Sequence, residues 1–343
     1  MKRSIAYALA AAMLFGASTP AAKLLAGEMP AFLLAGLLYA GSGLGLAAWI
    51  ALRPAAGAPR LARADLPWLG GAVLCGGVAG PVLLMLGLAA SPASTASLLL
   101  NLEGVFTALI AWFVFRENFD RRIALGMALI VAGGALASLE AGTGGIGSGS
   151  LLVAAACLAW AVDNNLTRRI SAGDPATIAA IKGAVAGAVN IAIALLLGNA
   201  WPTMVQIAAA GLVGLLGYGV SLALFVVALR ELGSARTGAY FSVAPFAGVL
   251  LALTALGEAP GMLFWLGLPL AAAGVWLHVT EHHAHRHLHE PMQHSHSHTH
   301  DEHHRHEHEA NWNGAEPHVH AHEHARLAHS HPHYPDIHHR HDH

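Results

Sequence analysis

Residues 66–115 read LPWLGGAVLCGGVAGPVLLMLGLAASPASTASLLLNLEGVFTALIAWFVF, and Glu103 is the one Asp, Glu, Lys or Arg among them. A helix that crosses a bilayer needs about 20 mostly apolar residues. The stretch supplies two such runs, 66–90 and 95–115, divided at Ser91-Pro92. Further runs of this kind lie at 4–26, 30–52, 123–139, 151–170, 176–198, 203–229, 236–257 and 261–280. About ten transmembrane helices therefore fill residues 1–280, which leaves no room for a folded soluble domain. Lys2 and Arg3 before an apolar run have the look of a secretory signal. The run continues past Pro20 and Lys23 to Ala26, however, so a retained first helix is expected.

Composition agrees. Of the 343 residues, 55% are hydrophobic and 11% charged, and the formal charge is −2. Soluble domains carry roughly 25% charged residues. The shortfall excludes a soluble enzyme, a disordered chain and a nucleic-acid binder. All 25 histidines lie in residues 278–343 with four Arg and ten Asp/Glu, whereas residues 1–277 hold 14 Lys/Arg and 10 Asp/Glu. Cys75 and Cys157 sit in apolar runs, with no spacing that reads as a disulfide framework or thiolate metal site. With no histidine before residue 278 and no phosphate loop, the usual bases and nucleophiles are missing. The chain is not expected to be an enzyme.

Charge also sets direction. With the N-terminus inside, the inner connections carry Lys2, Arg3, Arg53, Arg60, Arg63, Arg116, Arg121, Arg122, Arg168, Arg169, Arg230 and Arg236. The outer connections near 27–29, 91–94, 140–150, 199–202 and 258–260 carry no Lys or Arg. This is the positive-inside asymmetry. It predicts an even number of spans in the inner (plasma) membrane, with both termini and the histidine tail cytoplasmic.

The spans repeat. A shift of 145 sets Phe15-Gly16 on Trp160-Ala161, Lys23 on Arg168 and Pro30 on Pro175. A shift of 141 sets Glu117 on Glu258, Gly126 on Gly267 and Gly133 on Gly274. The expected organisation is a five-helix copy over 1–140, a Gly/Ser-rich linker over 141–150, a second copy over 151–280 and a tail over 281–343. An odd number of spans per copy inverts the second copy, an arrangement that many secondary transporters use around a midplane site.

Phe15-Gly16 followed by a basic residue, Leu102-Glu103-Gly104-Val105-Phe106, Glu117, Gly126 and Gly133-Gly134 resemble the drug/metabolite transporter superfamily, EamA type. Ala244-Pro245-Phe246, Glu258, Gly267 and Gly274 repeat the pattern. The resemblance implies an all-α integral membrane protein of two inverted five-helix repeats. It also implies a cavity formed by the first four spans of each half, with the fifth and tenth peripheral. Family members often have Pro where Gly104 stands and a basic residue where Leu37-Leu38-Tyr39 stands, a departure that counts against an anionic substrate.

Ionisable groups at bilayer depth cost at least about 2.5–3.5 kcal/mol and need a reason. Lys23, Glu103, Asp163 and Lys182 are the four that stand out. Glu103, with Asn101 beside it, is expected either to bind a proton or ammonium group or to pair with Lys23 or Lys182. Asp163-Asn164-Asn165 cannot all share one face, since neighbours lie about 100° apart, so some should face a cavity or another helix. Lys23 and Lys182 lie nearer span ends and are expected to snorkel. Tyr218 and Tyr240 offer hydroxyls, and the family's cavity makes them lining candidates. The expected substrate-binding set is thus Glu103, Asn101, Asp163, Asn164, Tyr218 and Tyr240. Pro20, Pro81, Pro245 and Pro269 fall inside spans and should kink them. Gly41-xxx-Gly45, Gly76-xxx-Gly80 and Gly183-xxx-Gly187 allow close helix packing.

The tail is a tandem repeat: a shift of 35 lays 281–308 on 316–343. His283, His285, His287, His289, His294, His296, His298, His303, His304, His306 and His308 all recur as histidine. With so few apolar residues a disordered tail is expected. Imidazole suits zinc, nickel, cobalt and copper, so these histidines are the expected metal ligands, and protonation near pH ~6.5 gives the tail a second, pH-linked character. The first functional expectation is a secondary transporter exporting a small organic metabolite or amino-acid-like solute, with a metal-binding tail and no cofactor required. The alternative is a divalent transition-metal transporter whose tail collects or senses nickel, cobalt or zinc. A third is a non-transporting membrane metal sensor. Lipid, solute and divalent metal are the expected partners, no nucleic acid is, and a homodimer is allowed for.

Overall fold

The computed structural model describes residues 2–52, 63–115, 121–139, 146–168, 170, 174–232, 234–280, 284–289, 292–298, 318–324 and 327–332. The chain divides into two units, Met1–Glu281 and His282–His343.

Among the described residues of the first unit, nine helices are long and apolar enough to cross a membrane. Helices α1 (Lys2–Ala26) and α2 (Ala31–Leu52) are each one span. The third span joins α3 (Leu66–Ala72) and α4 (Gly80–Ala90) through a π-helical segment, Val73–Ala79. The fourth is broken at Leu100-Asn101 into α5 (Ala93–Leu99) and α6 (Leu102–Phe115), and α7 (Arg121–Ser138) is the fifth. The second copy repeats this with α8 (Ser148–Arg168), α9 (Pro175–Leu196), and α10 (Met204–Gly214) joined through a π-helical Leu215–Val220 to α11 (Ser221–Leu232). Then come α12 (Ser234–Phe241), α13 (Ala244–Ala255) and α14 (Met262–Val279). The break at Ser242-Val243 divides the ninth span into α12 and α13, so neither half reaches the length of a full crossing.

The runs read as uninterrupted at 66–90, 95–115, 203–229 and 236–257 are therefore each interrupted once. Every interruption recurs after 141 or 142 residues. In the third span the Gly80 N–H bonds the Cys75 carbonyl, and in the eighth the Ser221 N–H bonds that of Leu216. Bonding five residues back instead of four frees a carbonyl at the same place in each copy.

Inversion is visible in the packing. A Cβ at Gly126 would meet the Gly274 carbonyl at 2.9 Å, and one at Gly133 the Gly267 carbonyl at 2.5 Å. As the chain ascends α7 it descends α14, so the fifth elements of the two copies run antiparallel. Because Gly126 corresponds to Gly267 and Gly133 to Gly274, one contact is the pseudo-symmetric image of the other. The second elements behave alike: Gly36 faces Ile191, and Gly43 faces Gly183 and Ala184. The copies also interlock. Helix α1 packs on α11 and α13 of the second copy, while α8 packs on α4 and α6 of the first.

In the second unit, β1 (Ala284–His289) pairs antiparallel with β4 (Leu327–Pro332), and β2 (Met292–His298) with β3 (His318–His324). Their strict His-x-His alternation has the two-residue period of a strand. Histidine faces histidine in five rungs: His285 opposite His331, His287 opposite His329, His294 opposite His322, His296 opposite His320 and His298 opposite His318. His283, His303, His304, His306 and His308 lie outside the described residues.

Candidate functional site

Pro81 has no N–H to give, which orphans the Gly77 carbonyl four residues back. The buried Asn190 of α9 donates its Nδ2–H to that carbonyl at 2.8 Å. The π-turn similarly frees the Gly76 carbonyl, which accepts from the Tyr39 hydroxyl at 2.8 Å and the Trp160 Nε1–H at 2.9 Å. The loosened backbone of the third span is thus pinned by α2, α8 and α9. Pro81 and the π-turn act here as packing devices, since their free carbonyls are taken by protein.

Gly76 faces Asp163 so closely that a Cβ would stand 1.8 Å from Oδ2. Asp163 is held from the other side: the Lys182 ammonium donates to Oδ1 at 2.5 Å and Oδ2 at 2.6 Å, and the Thr167 hydroxyl to Oδ1 at 2.8 Å. The side chains of Lys182 and Asp163 are only 17% and 8% exposed. Lys182 therefore does not snorkel, because a carboxylate one helix away gives a better partner at depth. Lys23 does not snorkel either. Its ammonium reaches the Leu88 carbonyl and, at 2.7 Å, that of Ser91. There it satisfies acceptors at the end of α4, where a cation is also favoured by the helix dipole.

Both lysines being engaged, neither pairs with Glu103. Glu103 stands midway along the fourth span, in the first turn of α6, and its Oε1 accepts from the Asn164 Nδ2–H at 2.8 Å. The same amide reaches the Thr107 hydroxyl at 3.3 Å. Glu103 and Thr107 are half-buried and Asn164 is exposed. An exposed amide bound to a carboxylate inside a span is stable only where water, not lipid, meets it. Asn165, the third of the adjacent polar residues, donates to the Ala161 carbonyl at 2.8 Å and reaches the Thr107 carbonyl at 3.4 Å. Asp163 is thus held by Lys182 and Thr167 of its own copy, whereas Asn164 and Asn165 both reach across to α6.

Of the other residues expected at the site, Asn101 is buried and donates to the Leu98 carbonyl at 2.8 Å, tying the break in its own span. Tyr218 is half-buried in the π-turn of the eighth span, its ring 5.8 Å from both Phe15 and Tyr39. Tyr240 is half-buried on α12. Glu103, Asn164, Asp163 and Tyr218 line one region between the copies. Tyr39, Thr107, Trp160 and Gly76 belong to it as well, although none of them was expected from the sequence as a binding residue.

The pseudo-symmetric positions differ in chemistry. Ser18 stands for Asp163, Ala244 for Glu103 and Gly217 for Gly76. A Cβ at Gly217 would meet the Ser18 Cβ at 2.4 Å, matching the approach of Gly76 to Asp163. The backbone framework is duplicated, whereas the charge lies on one side only.

Two inverted, interlocked copies with interrupted spans around an internal polar group define a membrane solute carrier. The chain belongs to the EamA-like transporter family, which matches residues 2–139 and 147–280. It is 32% identical over 188 residues to an uncharacterised transporter of Methanothermobacter thermautotrophicus. That alignment covers 53% of this chain and 55% of the relative, so the match spans about half of each protein. A solved crystal structure, titled only as that of a protein, shares the fold with a TM-score of 0.60 and 19% identity over 81% of this chain and 96% of its own.

Proposed function

We propose that this chain is a secondary transporter that exports a small organic metabolite or amino-acid-like solute by alternating access. Residues 1–140 and 151–280 are the two moving copies, joined by 141–150. One observation carries the reading: Glu103 of the first copy and Asn164 of the second meet at 2.8 Å inside the membrane, yet stay open to solvent. A polar contact that bridges two inverted copies changes whenever they rock against each other, which is what a site with alternating access requires. The tail is an appendage that binds zinc, nickel, cobalt or copper, and transport itself needs no cofactor. The Lys/Arg asymmetry of the connections supports placement in the inner membrane with cytoplasmic termini.

The test is exchange across proteoliposomes containing the full chain, run with a labelled panel of amino acids and related metabolites. Saturable exchange of at least one solute, lost in Glu103→Gln, is the expected result. Absence of saturable exchange for cationic, zwitterionic and anionic solutes alike overturns the reading. The transition-metal alternative draws on the His-x-His tail. Against it, both Asp163 oxygens are engaged by Lys182, which leaves a passing ion little but Glu103. Labelled nickel, cobalt and zinc flux, compared between the full chain and one ending at Thr280, separates the two.

A further inference from the structure

Resting on the transporter reading above, we infer that the solute is an organic monocation with an apolar or aromatic body, held by Glu103. The argument is one of charge accounting inside a low-dielectric space. Asp163 and Lys182 neutralise each other through two short contacts. Lys23 keeps its charge but holds it at the end of α4, on the Leu88 and Ser91 carbonyls and off Glu103. Glu103 has an amide and no cation as its partner. Among the described residues of the span interiors, the region between the copies therefore carries one uncompensated carboxylate. A solute bringing one positive charge completes it. A zwitterion such as a free amino acid brings a carboxylate as well, and the lysine that would receive it is already held by Asp163. An anion meets Glu103 with nothing to offset it.

The remaining walls fit the same class. Phe15, Tyr39 and Tyr218 form a continuous aromatic group, with centroids 5.8 Å apart along the chain of contacts, and Tyr39 is joined through the Gly76 carbonyl to Trp160. The Tyr39 hydroxyl bonds the Gly76 carbonyl, and Gly76 abuts the Asp163 carboxylate, so this aromatic group reaches the polar cluster of α8. Aromatic faces attract desolvated organic cations and accept apolar bodies.

The experiment uses the full chain in proteoliposomes and three labelled probes on one phenylethyl skeleton: trimethyl(2-phenylethyl)ammonium, phenylalanine betaine and 2-phenylethanesulfonate. All three are permanently charged, so leakage through lipid is slow. The ammonium probe is expected to exchange at least about tenfold faster than the betaine, with no saturable flux of the sulfonate. Glu103→Gln should cut ammonium exchange by about 10- to 100-fold, the usual worth of a charged partner, and Glu103→Asp should restore part of it. Equal or faster exchange of the betaine or sulfonate overturns the inference and leaves the transporter reading intact. So does ammonium exchange that is unchanged in Glu103→Gln. Should that variant fail to fold, the wild-type ranking of the three probes decides alone. No exchange of any of them, nor of the metabolite panel, overturns the transporter reading itself.

Discussion

Removing either member of the Asp163–Lys182 pair should cost far more than removing both. The pair joins α8 to α9 with contacts of 2.5 and 2.6 Å, and its side chains are 8% and 17% exposed. Lys182→Met leaves Asp163 with the Thr167 hydroxyl alone, and Asp163→Asn leaves the ammonium with one uncharged amide oxygen and that same hydroxyl at 3.2 Å. Stranding one charge of a buried pair costs about 3–5 kcal/mol, while exchanging both members for neutral groups is often close to neutral. The double variant Asp163→Asn/Lys182→Met should therefore be more stable than either single one, with a coupling of at least about 2 kcal/mol, inside the range that contacting residues show. Unfolding equilibria in mixed micelles, followed by tryptophan fluorescence, give the four free energies of the cycle. Single losses that simply add in the double variant, to within about 0.5 kcal/mol, would refute the claim that the two charges hold each other.

Glu258 accepts from the backbone N–H groups of Ala93 at 2.7 Å and Ser94 at 2.8 Å, and so caps α5, whose N-cap residue Pro92 offers no side-chain acceptor. Glu258→Ala should lower unfolding stability by about 1–2 kcal/mol, and thermal unfolding in detergent measures it. Gly133→Ala places a Cβ 2.5 Å from the Gly267 carbonyl, whereas nothing lies within 4 Å of one at Gly27. The first should destabilise by about 1–3 kcal/mol and Gly27→Ala should be close to silent, by the same measurement. Calorimetric titration with nickel should show several sites in the full chain that disappear in a chain ending at Thr280. Because only neutral imidazole ligates, that binding should collapse between about pH 7 and pH 5.

The spans were legible because a bilayer demands long apolar runs and this chain has little else before residue 280. The reading of 30–52, for example, meets the observed helix Ala31–Leu52 within a residue. Charge placement on the connections and the 141-residue recurrence pointed to an inverted pair of copies, and the antiparallel meeting of Gly126 with Gly274 and Gly133 with Gly267 shows that inversion in the packing. Glu103 could be singled out because one carboxylate among fifty apolar and small residues needs a reason.

Hydropathy carries no information about which hydrogen bond a backbone carbonyl makes. The π-turn at Leu215–Val220 and the break at Leu100-Asn101 were therefore invisible beforehand, whereas Pro81 and Pro245 had pointed to kinks beside Val73–Ala79 and Ser242-Val243. Composition determined that the chain lives in lipid and turns upon itself twice. Only the packed structure decided that Lys182 belongs to Asp163, that Lys23 belongs to the end of α4, and that Glu103 is left with an amide. Each buried charge takes the partner that three-dimensional proximity provides, and that proximity is set by how α2, α6, α8 and α9 meet.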